Sequence, residues 1–156
     1  MSLTFLTGCS ASARFHSKTG RNYGPLTTTA VRCEEKEAQL VSQAGGEVIG
    51  TISGKGLTVN ADQNDIIEKA QAVAAKKGGT HIVLTEKGEQ LFTVYTPAQI
   101  TTDCVRSPGA VECQTVATPA TSTTYAHPTA SFIVLRLDPA RWATLPSQLR
   151  PAPRED

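Results

Sequence analysis

The sequence predicts an α+β fold, with a small mixed β-sheet of about five strands and one main amphipathic helix on one face. Two observations lead to this prediction. Between residues 46 and 86, two short apolar runs flank a capped amphipathic helix, which is the pattern of a β-α-β unit. After residue 90, short runs rich in β-branched residues are separated by turn signals, which predicts antiparallel strands. The length of 156 residues fits one domain.

We expect that domain to occupy residues 27–142. Residues 1–26 are interpreted as a truncated signal remnant and a flexible arm, because residues 10–26 are polar, basic and without periodicity. Residues 143–156 are rich in proline and offer little to bury, which predicts a disordered tail.

The elements before the main helix are predicted from local composition. Residues 27–33 are rich in β-branched side chains and predict a strand, whereas residues 34–44 predict a short helix. Residues 47–53 alternate between two faces, as a strand does. Residues 53–56 (SGKG) predict a flexible loop. A phosphate-binding loop is not predicted there, because the glycine spacing differs from the pattern that such a loop requires.

The main helix is predicted over residues 63–77. Asp62 precedes it and Asp65 lies in its first turn, so the two residues form an approximate capping box. Apolar residues recur with the period of a helix face. The double glycine that begins at Gly78 is a helix stop signal.

The elements after the helix complete the predicted sheet. Residues 80–85 form the second strand of the β-α-β unit, for which a right-handed parallel crossover is expected. Residues 86–89 (EKGE) predict a hairpin turn, from which residues 91–96 return antiparallel. Two further strands are predicted at residues 111–117 and 131–137.

Two of the four cysteines are placed symmetrically around a turn. Cys104 and Cys113 lie equally far from the Pro-Gly pair at residues 108–109, so a hairpin about that pair brings them face to face. We therefore predict a Cys104–Cys113 disulfide, worth about 2.7 kcal/mol in the chain-entropy model. Four cysteines allow three complete pairings. In the favoured one, Cys33 either pairs with Cys9 or is free and buried.

The sequence offers no recognisable catalytic motif, cofactor motif or metal site. The net charge of +1 argues against nucleic acid as a partner, and no apolar run approaches the ~20 residues that span a bilayer. A zinc site could combine Cys33, Cys104 and Cys113 with His81 or His127, but these residues lack the close spacing of structural zinc ligands. We expect no enzymatic activity, no cofactor and no metal.

The amino terminus contains a motif typical of bacterial lipoproteins. Residues 6–9 (LTGC) look like a lipobox, in which an aliphatic residue and two small residues precede the cysteine that is acylated. Only eight residues precede Cys9, and none is basic, so we expect the native signal peptide to have been trimmed from this chain. The prediction is lipidation at Cys9; the alternative is an ordinary thiol there.

Residues 46–50 (GEVIG) and 79–84 (GTHIVL), with the Ala-rich helix between them, resemble a family of small bacterial envelope lipoprotein domains. That family includes the Rcs stress-sensor lipoprotein of the outer membrane and related lipoproteins. The resemblance covers about 40 residues and implies an α+β domain with disulfides, a lipidated amino-terminal cysteine and a place in the cell envelope.

We therefore expect a non-enzymatic, periplasm-facing lipoprotein domain that binds envelope proteins in sensing or maintenance and is anchored to the membrane through a lipid on Cys9. An alternative is a module that binds a small ligand or cell-wall fragment; a third, an uncharacterised enzyme, is disfavoured. The polar segment 118–129 predicts a loop that supplies the contact residues for a ligand or partner. These candidate residues are Thr123, Thr124, Tyr125 and His127.

Overall fold

The computed structural model describes residues 10–58 and 60–153, and it confirms the α+β class. The chain divides into two compact units. The hairpin unit is Leu91–Ala126, and the core unit comprises the described residues of Met1–Gln90 and His127–Asp156.

The described elements follow one another along the chain with short connections. They are β1 (Ala11–Ser17), β2 (Val31–Cys33), α1 (Glu35–Gln43), β3 (Glu47–Gly56), α2 (Gln63–Lys76), β4 (His81–Thr96), β5 (Gln99–Ser107), β6 (Ala110–Thr118), β7 (Thr121–Arg136) and two 3-10 helices (Pro139–Thr144 and Ser147–Leu149). Five strands form one sheet in the order β1-β3-β7-β4-β2, and β5 pairs with β6 in a second sheet. In the larger sheet β1 and β7 are antiparallel to β3, whereas β2 is parallel to β4.

The main helix is confirmed, and its amino-terminal cap has the predicted partners. The Asp62 side chain accepts a hydrogen bond from the Asp65 N–H at 3.0 Å, and the Asp65 side chain accepts one from the Asp62 N–H at 2.9 Å. These bonds satisfy two of the amides that every helix start leaves without a partner. Gly78 ends the helix with a φ of 83°.

Helix α2 covers one face of the core unit's sheet. Its buried Ile66 and Ile67 pack in one cluster with Ile52 of β3 and Phe132 of β7. The two strands that α2 connects, β3 and β4, are not neighbours, because β7 lies between them in the sheet. The parallel neighbour of β4 is β2.

Helix α1 and the carboxy-terminal segment cover part of the opposite face. Val41, Leu137, Leu145 and Leu149 are buried there in a second cluster. The prediction of a disordered tail over residues 143–156 is wrong for its described part. Prolines fix φ and favour tight 3-10 turns, and these turns place apolar side chains of the tail on the sheet.

Residues 10–26 are not an arm throughout, because Ala11–Ser17 forms β1 against β3. The predicted loop at residues 53–56 is likewise strand, since β3 continues to Gly56. The glycines serve packing here: a Cβ at Gly54 would overlap Ile66, and one at Gly56 would crowd Ala61. Two closely spaced glycines predict flexibility, whereas here they allow α2 and its amino-terminal loop to approach the sheet closely.

Two further predictions about turns are wrong. Residues 86–89 do not turn, since β4 runs without interruption from His81 to Thr96, and most of the predicted loop 118–129 belongs to β7. Both segments lie where β4 and β7 are neighbours in the sheet, so cross-strand pairing outweighs the local turn preference of Lys87-Gly88. The turn predicted at residues 108–109 is confirmed, with Gly109 at a φ of 90°.

Candidate functional site

The hairpin unit is built around the predicted disulfide, which is confirmed. Strands β5 and β6 pair in a continuous antiparallel register from Gln99↔Thr118 to Ser107↔Ala110. That register places Cys104 directly opposite Cys113, with their Cα atoms 4.0 Å apart, and the two residues are bonded. The covalent link lies near the turn and fixes the register of the pair.

Cross-strand side-chain pairs continue in the parts of β4 and β7 that belong to this unit. The rings of Phe92 and Tyr125 stack with centroids 5.4 Å apart. The hydroxyl groups of Thr93 and Thr124 lie 2.9 Å apart, and a third pair joins the hydroxyl groups of two threonines across β5 and β6 at 3.2 Å. Such pairs are the units that stabilise a sheet without helices on its faces.

Almost every side chain of the hairpin unit is exposed, including its large apolar ones. All eighteen residues of β5 and β6 are exposed. The apolar side chains have exposed fractions from 39% to 76%; they are Leu91, Phe92, Val94, Tyr95, Ile100, Val105, Val111 and Val116. Isolated apolar residues on a surface are ordinary, but eight exposed ones within 26 residues make the hairpin unit a candidate contact region. Strand alternation places Ile100 and Val111 on one face of the β5-β6 pair and Val105 and Val116 on the other.

The free edges of this hairpin carry little charge. Within residues 91–126 the only charged side chains are Asp103, Arg106 and Glu112. Proteins protect exposed strand edges with lysines, bulges or internal prolines. Strands β5 and β6 lack two of these protections, because neither strand contains a lysine or a proline. Their outer backbone groups are therefore available to pair with another strand.

The four predicted contact residues are divided between the two units. Thr123, Thr124 and Tyr125 belong to the hairpin unit, where strand alternation directs Thr124 away from the face that Thr123 and Tyr125 share. His127 belongs to the core unit, and its Nδ1–H donates to the Gly56 carbonyl oxygen at 2.8 Å. The first three are part of a larger exposed surface, while His127 connects two strands.

A groove on the core unit was not predicted from the sequence. It has a volume of about 630 Å³ and lies between α1 and the sheet. Its lining includes Val48, Val83, Ile133 and Leu135 from three strands, together with polar side chains of α1. None of the four predicted contact residues lines it. Because these residues come from separate elements, no local sequence pattern marks the groove.

Two buried polar side chains lie beneath the second cluster. His81 is fully buried, and its Nε2–H donates to the Leu149 carbonyl oxygen at 2.7 Å. The Thr80 hydroxyl lies 2.8 Å from His81 Nδ1. Because Nε2 is the donor, the neutral ring accepts the Thr80 proton at Nδ1. His81 therefore joins the tail to β4 and has no access to a substrate.

Cys33 is free and buried, which settles the alternative that the sequence left open. Burial and the nearby Glu37 carboxylate raise the pKa of the Cys33 thiol to about 12. Cys9, the predicted lipidation site, lies outside the described residues. No group of three or more metal-ligating side chains occurs within residues 10–58 and 60–153.

We expect Cys33 to resist alkylation in the folded protein. A thiol with a pKa of about 12 is ionised to only about one part in ten thousand at pH 8, and the thiolate is the reactive form. In a Cys9→Ser variant, mass spectrometry should show no iodoacetamide adduct after an hour at pH 8 and one adduct after unfolding in urea without reductant. Rapid labelling of the folded protein would contradict the buried position.

Comparisons with known proteins add a distant structural likeness. No family model matches the chain, and no curated protein matches it significantly. The crystal structure of the Francisella virulence factor FvfA, in its orthorhombic form, aligns with a TM-score of 0.37 and 11% sequence identity. The alignment covers 79% of this chain and 96% of that one. Neither described helix of this chain combines the length and apolar character needed to cross a membrane.

Proposed function

We propose that this chain is a non-enzymatic protein-interaction domain of the bacterial cell envelope, and that the hairpin unit is its contact surface. The proposal includes a position facing the periplasm and a membrane anchor at Cys9. The observation that carries it is the group of exposed apolar side chains on a hairpin with free edges. A partner that covers this surface removes apolar area from water, at about 25 cal/mol per Å².

The marginal stability of hairpins supports a contact role. A two-stranded hairpin is at best marginally stable in water, and β5 and β6 bury no side chain. The Cys104–Cys113 bond compensates by restricting the unfolded chain. Holding an extended apolar ribbon in one register lowers the entropy cost of pairing with a partner strand.

The same disulfide supports the envelope as the compartment. Disulfides persist in the periplasm and are rare in the reducing cytosol. Cys104 and Cys113 are exposed in the hairpin unit, so cytosolic reductants would reach their bond. An exposed structural disulfide is therefore consistent with the resemblance to envelope lipoproteins.

Site-specific photo-crosslinking in intact cells tests the contact role. A photoreactive residue placed at Val94, Val105 or Val116 should give discrete adducts with another protein. The matched control positions Lys36 and Lys77 are exposed in the core unit and should give none. Equal adducts at control and hairpin positions, or none at the hairpin, would reject the contact surface. Incorporation of radiolabelled palmitate into the protein expressed from its own gene, and its loss in Cys9→Ser, tests the anchor separately.

We expect the paired Cys104→Ser and Cys113→Ser variant to loosen the hairpin unit alone. The model for loop closure gives a local loss of about 2–3 kcal/mol, which is roughly a hundredfold faster amide hydrogen exchange in β5 and β6. Exchange within α2 should stay unchanged, because α2 packs in the core unit. Unchanged exchange in β5 and β6 would show that the disulfide adds nothing to the order of the hairpin.

The alternative of a small-ligand or cell-wall-fragment module based on residues 118–129 is less well supported. That alternative needs a pocket beside the segment, whereas the groove of about 630 Å³ is lined by α1, β3, β4 and β7 residues outside it. An exposed apolar surface instead favours contact with a protein.

A further inference from the structure

The groove on the core unit continues into an open, positively charged part of the same sheet face. Ile133 of the groove floor is paired with Thr51 of β3, and Thr51 is paired with His16 of β1. Residues directly opposite each other on antiparallel strands point to the same face. Neighbouring strands are ~4.8 Å apart, so β1 lies about 10 Å from the groove floor along this row.

Two cations lie on the next two pairs of opposed residues along β1 and β3. Arg14 is paired with Ser53, and Lys55 is paired with Ser12, all on the face opposite α2. Arg14, Ser53 and Lys55 are exposed. Gly54 faces α2, because a Cβ at this position would overlap Ile66. Its neighbours Ser53 and Lys55 therefore point to the opposite face of the sheet. No ion pair or hydrogen bond of the Arg14 or Lys55 side chain occurs among the described residues.

The two strands that carry these cations, and β7 beside them, offer no free carboxylate on this face. Strands β1 and β7 contain no Asp or Glu, and β3 contains only Glu47. The Glu47 carboxylate accepts a hydrogen bond from the Tyr23 hydroxyl at 2.6 Å, and Tyr23 packs against the α2-side cluster. The one charged residue that lines the groove is Glu35, in the first turn of α1.

These features give the site two ends of different chemistry. At one end, Arg14 and Lys55 attract negative charge without a competing carboxylate on β1 or β7. At the other, the groove has an apolar floor with Gln39 and Ser42 on its wall, and Glu35 repels an anion there. Its volume is within the range of small-molecule sites, which is roughly 300–1,000 Å³.

We propose that this face binds a long-chain fatty acid, independently of the hairpin contact surface. The apolar chain lies in the groove over Val83, Ile133 and Leu135. The anionic head group lies over β1 and β3, where Arg14 and Lys55 neutralise it and Ser53 can donate a hydrogen bond. The acyl chain binds through burial of apolar area, and the cations select a negative head group.

Titration with a dansyl-labelled undecanoic acid, followed by its fluorescence, tests the proposal on the full chain. We expect saturable binding that weakens about tenfold in Arg14→Gln/Lys55→Gln, since two exposed charges each contribute a modest attraction. High salt should weaken binding to the wild type by a similar factor. The matched control Lys76→Gln/Lys77→Gln removes two exposed lysines at the end of α2, on the other side of the sheet, and should bind normally.

The groove is tested with Ser42→Trp, which places a large ring on the groove wall from an exposed position. Its matched control is Leu40→Trp, at an exposed position of the same helix that does not line the groove. We expect the first variant to lose binding at least tenfold and the second to retain it, with unchanged circular dichroism in both. Palmitate should compete with the probe, and inorganic phosphate should not.

Several outcomes would overturn the proposal. They are the absence of saturable binding to the wild type, equal binding by both charge variants, and equal binding by both tryptophan variants. Full competition by inorganic phosphate would show a simple anion site without a role for the groove. The substitutions compared in this assay all lie in the core unit, so its result is distinguishable from a failure of the crosslinking experiment.

Discussion

The Phe132→Ala variant is expected to lose about 3–5 kcal/mol of unfolding free energy, enough to unfold much of a small domain. Phe132 is fully buried in the cluster beneath α2, and it is paired with Ile52 on the neighbouring strand. β7 is the middle strand of the five-stranded sheet, so the surrounding residues cannot close the cavity easily. Urea unfolding followed by circular dichroism measures the loss.

Phe92→Ala is the matched control, because it removes the same side chain from the hairpin unit. Phe92 is 39% exposed and stacks on Tyr125, so its removal should cost about 1 kcal/mol. A loss from Phe92→Ala as large as that from Phe132→Ala would contradict the description of the hairpin unit as exposed. A loss below about 1 kcal/mol for Phe132→Ala would contradict the assigned core.

The predictions that the structure confirms depend on signals a few residues apart. The cap at Asp62 and Asp65 spans three residues, and the Gly78 stop follows directly from the end of the apolar stripe. The Cys104–Cys113 pair is symmetric about one strong turn. In these cases interactions between residues close in sequence favour the native conformation, and the tertiary contacts favour the same one.

The predictions that the structure contradicts concern segments whose partners are distant in sequence. Lys87-Gly88 has the composition of a turn, yet it lies within β4, whose sheet neighbour β7 starts more than thirty residues later. The polar composition of residues 10–26 predicts an arm, although Ala11, Ala13 and Phe15 alternate with polar residues in β1, which is a detectable strand signal. Its partner β3 lies beyond two further elements, so the sequence does not show the pairing.

The candidate sites show the same contrast between signals close in sequence and partners distant in sequence. The disulfide that orders the hairpin unit was predictable, because both of its cysteines flank one turn. The exposed apolar surface was not, since an apolar residue in a strand normally predicts burial. The groove and the cations beside it combine residues from five elements, so the site exists only in the folded sheet.

Acidification is expected to destabilise the protein through His81, which is fully buried between β4 and the tail. Burial lowers the pKa of His81 below its ordinary value of 6.5, although the bond to Leu149 opposes this in part. The unfolded chain therefore takes up a proton at a higher pH than the folded one. The stabilisation is complete above about pH 6.5 and declines as the pH falls towards the folded pKa, by at most ~1.4 kcal/mol per pH unit.

The His81→Gln variant separates the titration of His81 from the titration of every other group. Glutamine keeps a donor for the Leu149 carbonyl but does not titrate, so the variant should be less stable at pH 7.5 by about 1–3 kcal/mol and should change less between pH 7.5 and 5.5. His16→Gln, at an exposed position on β1, should retain the wild-type dependence. If His81→Gln keeps the wild-type slope, another group causes the acid sensitivity. If the slope flattens, protonation of one buried ring weakens the attachment of the tail to the sheet.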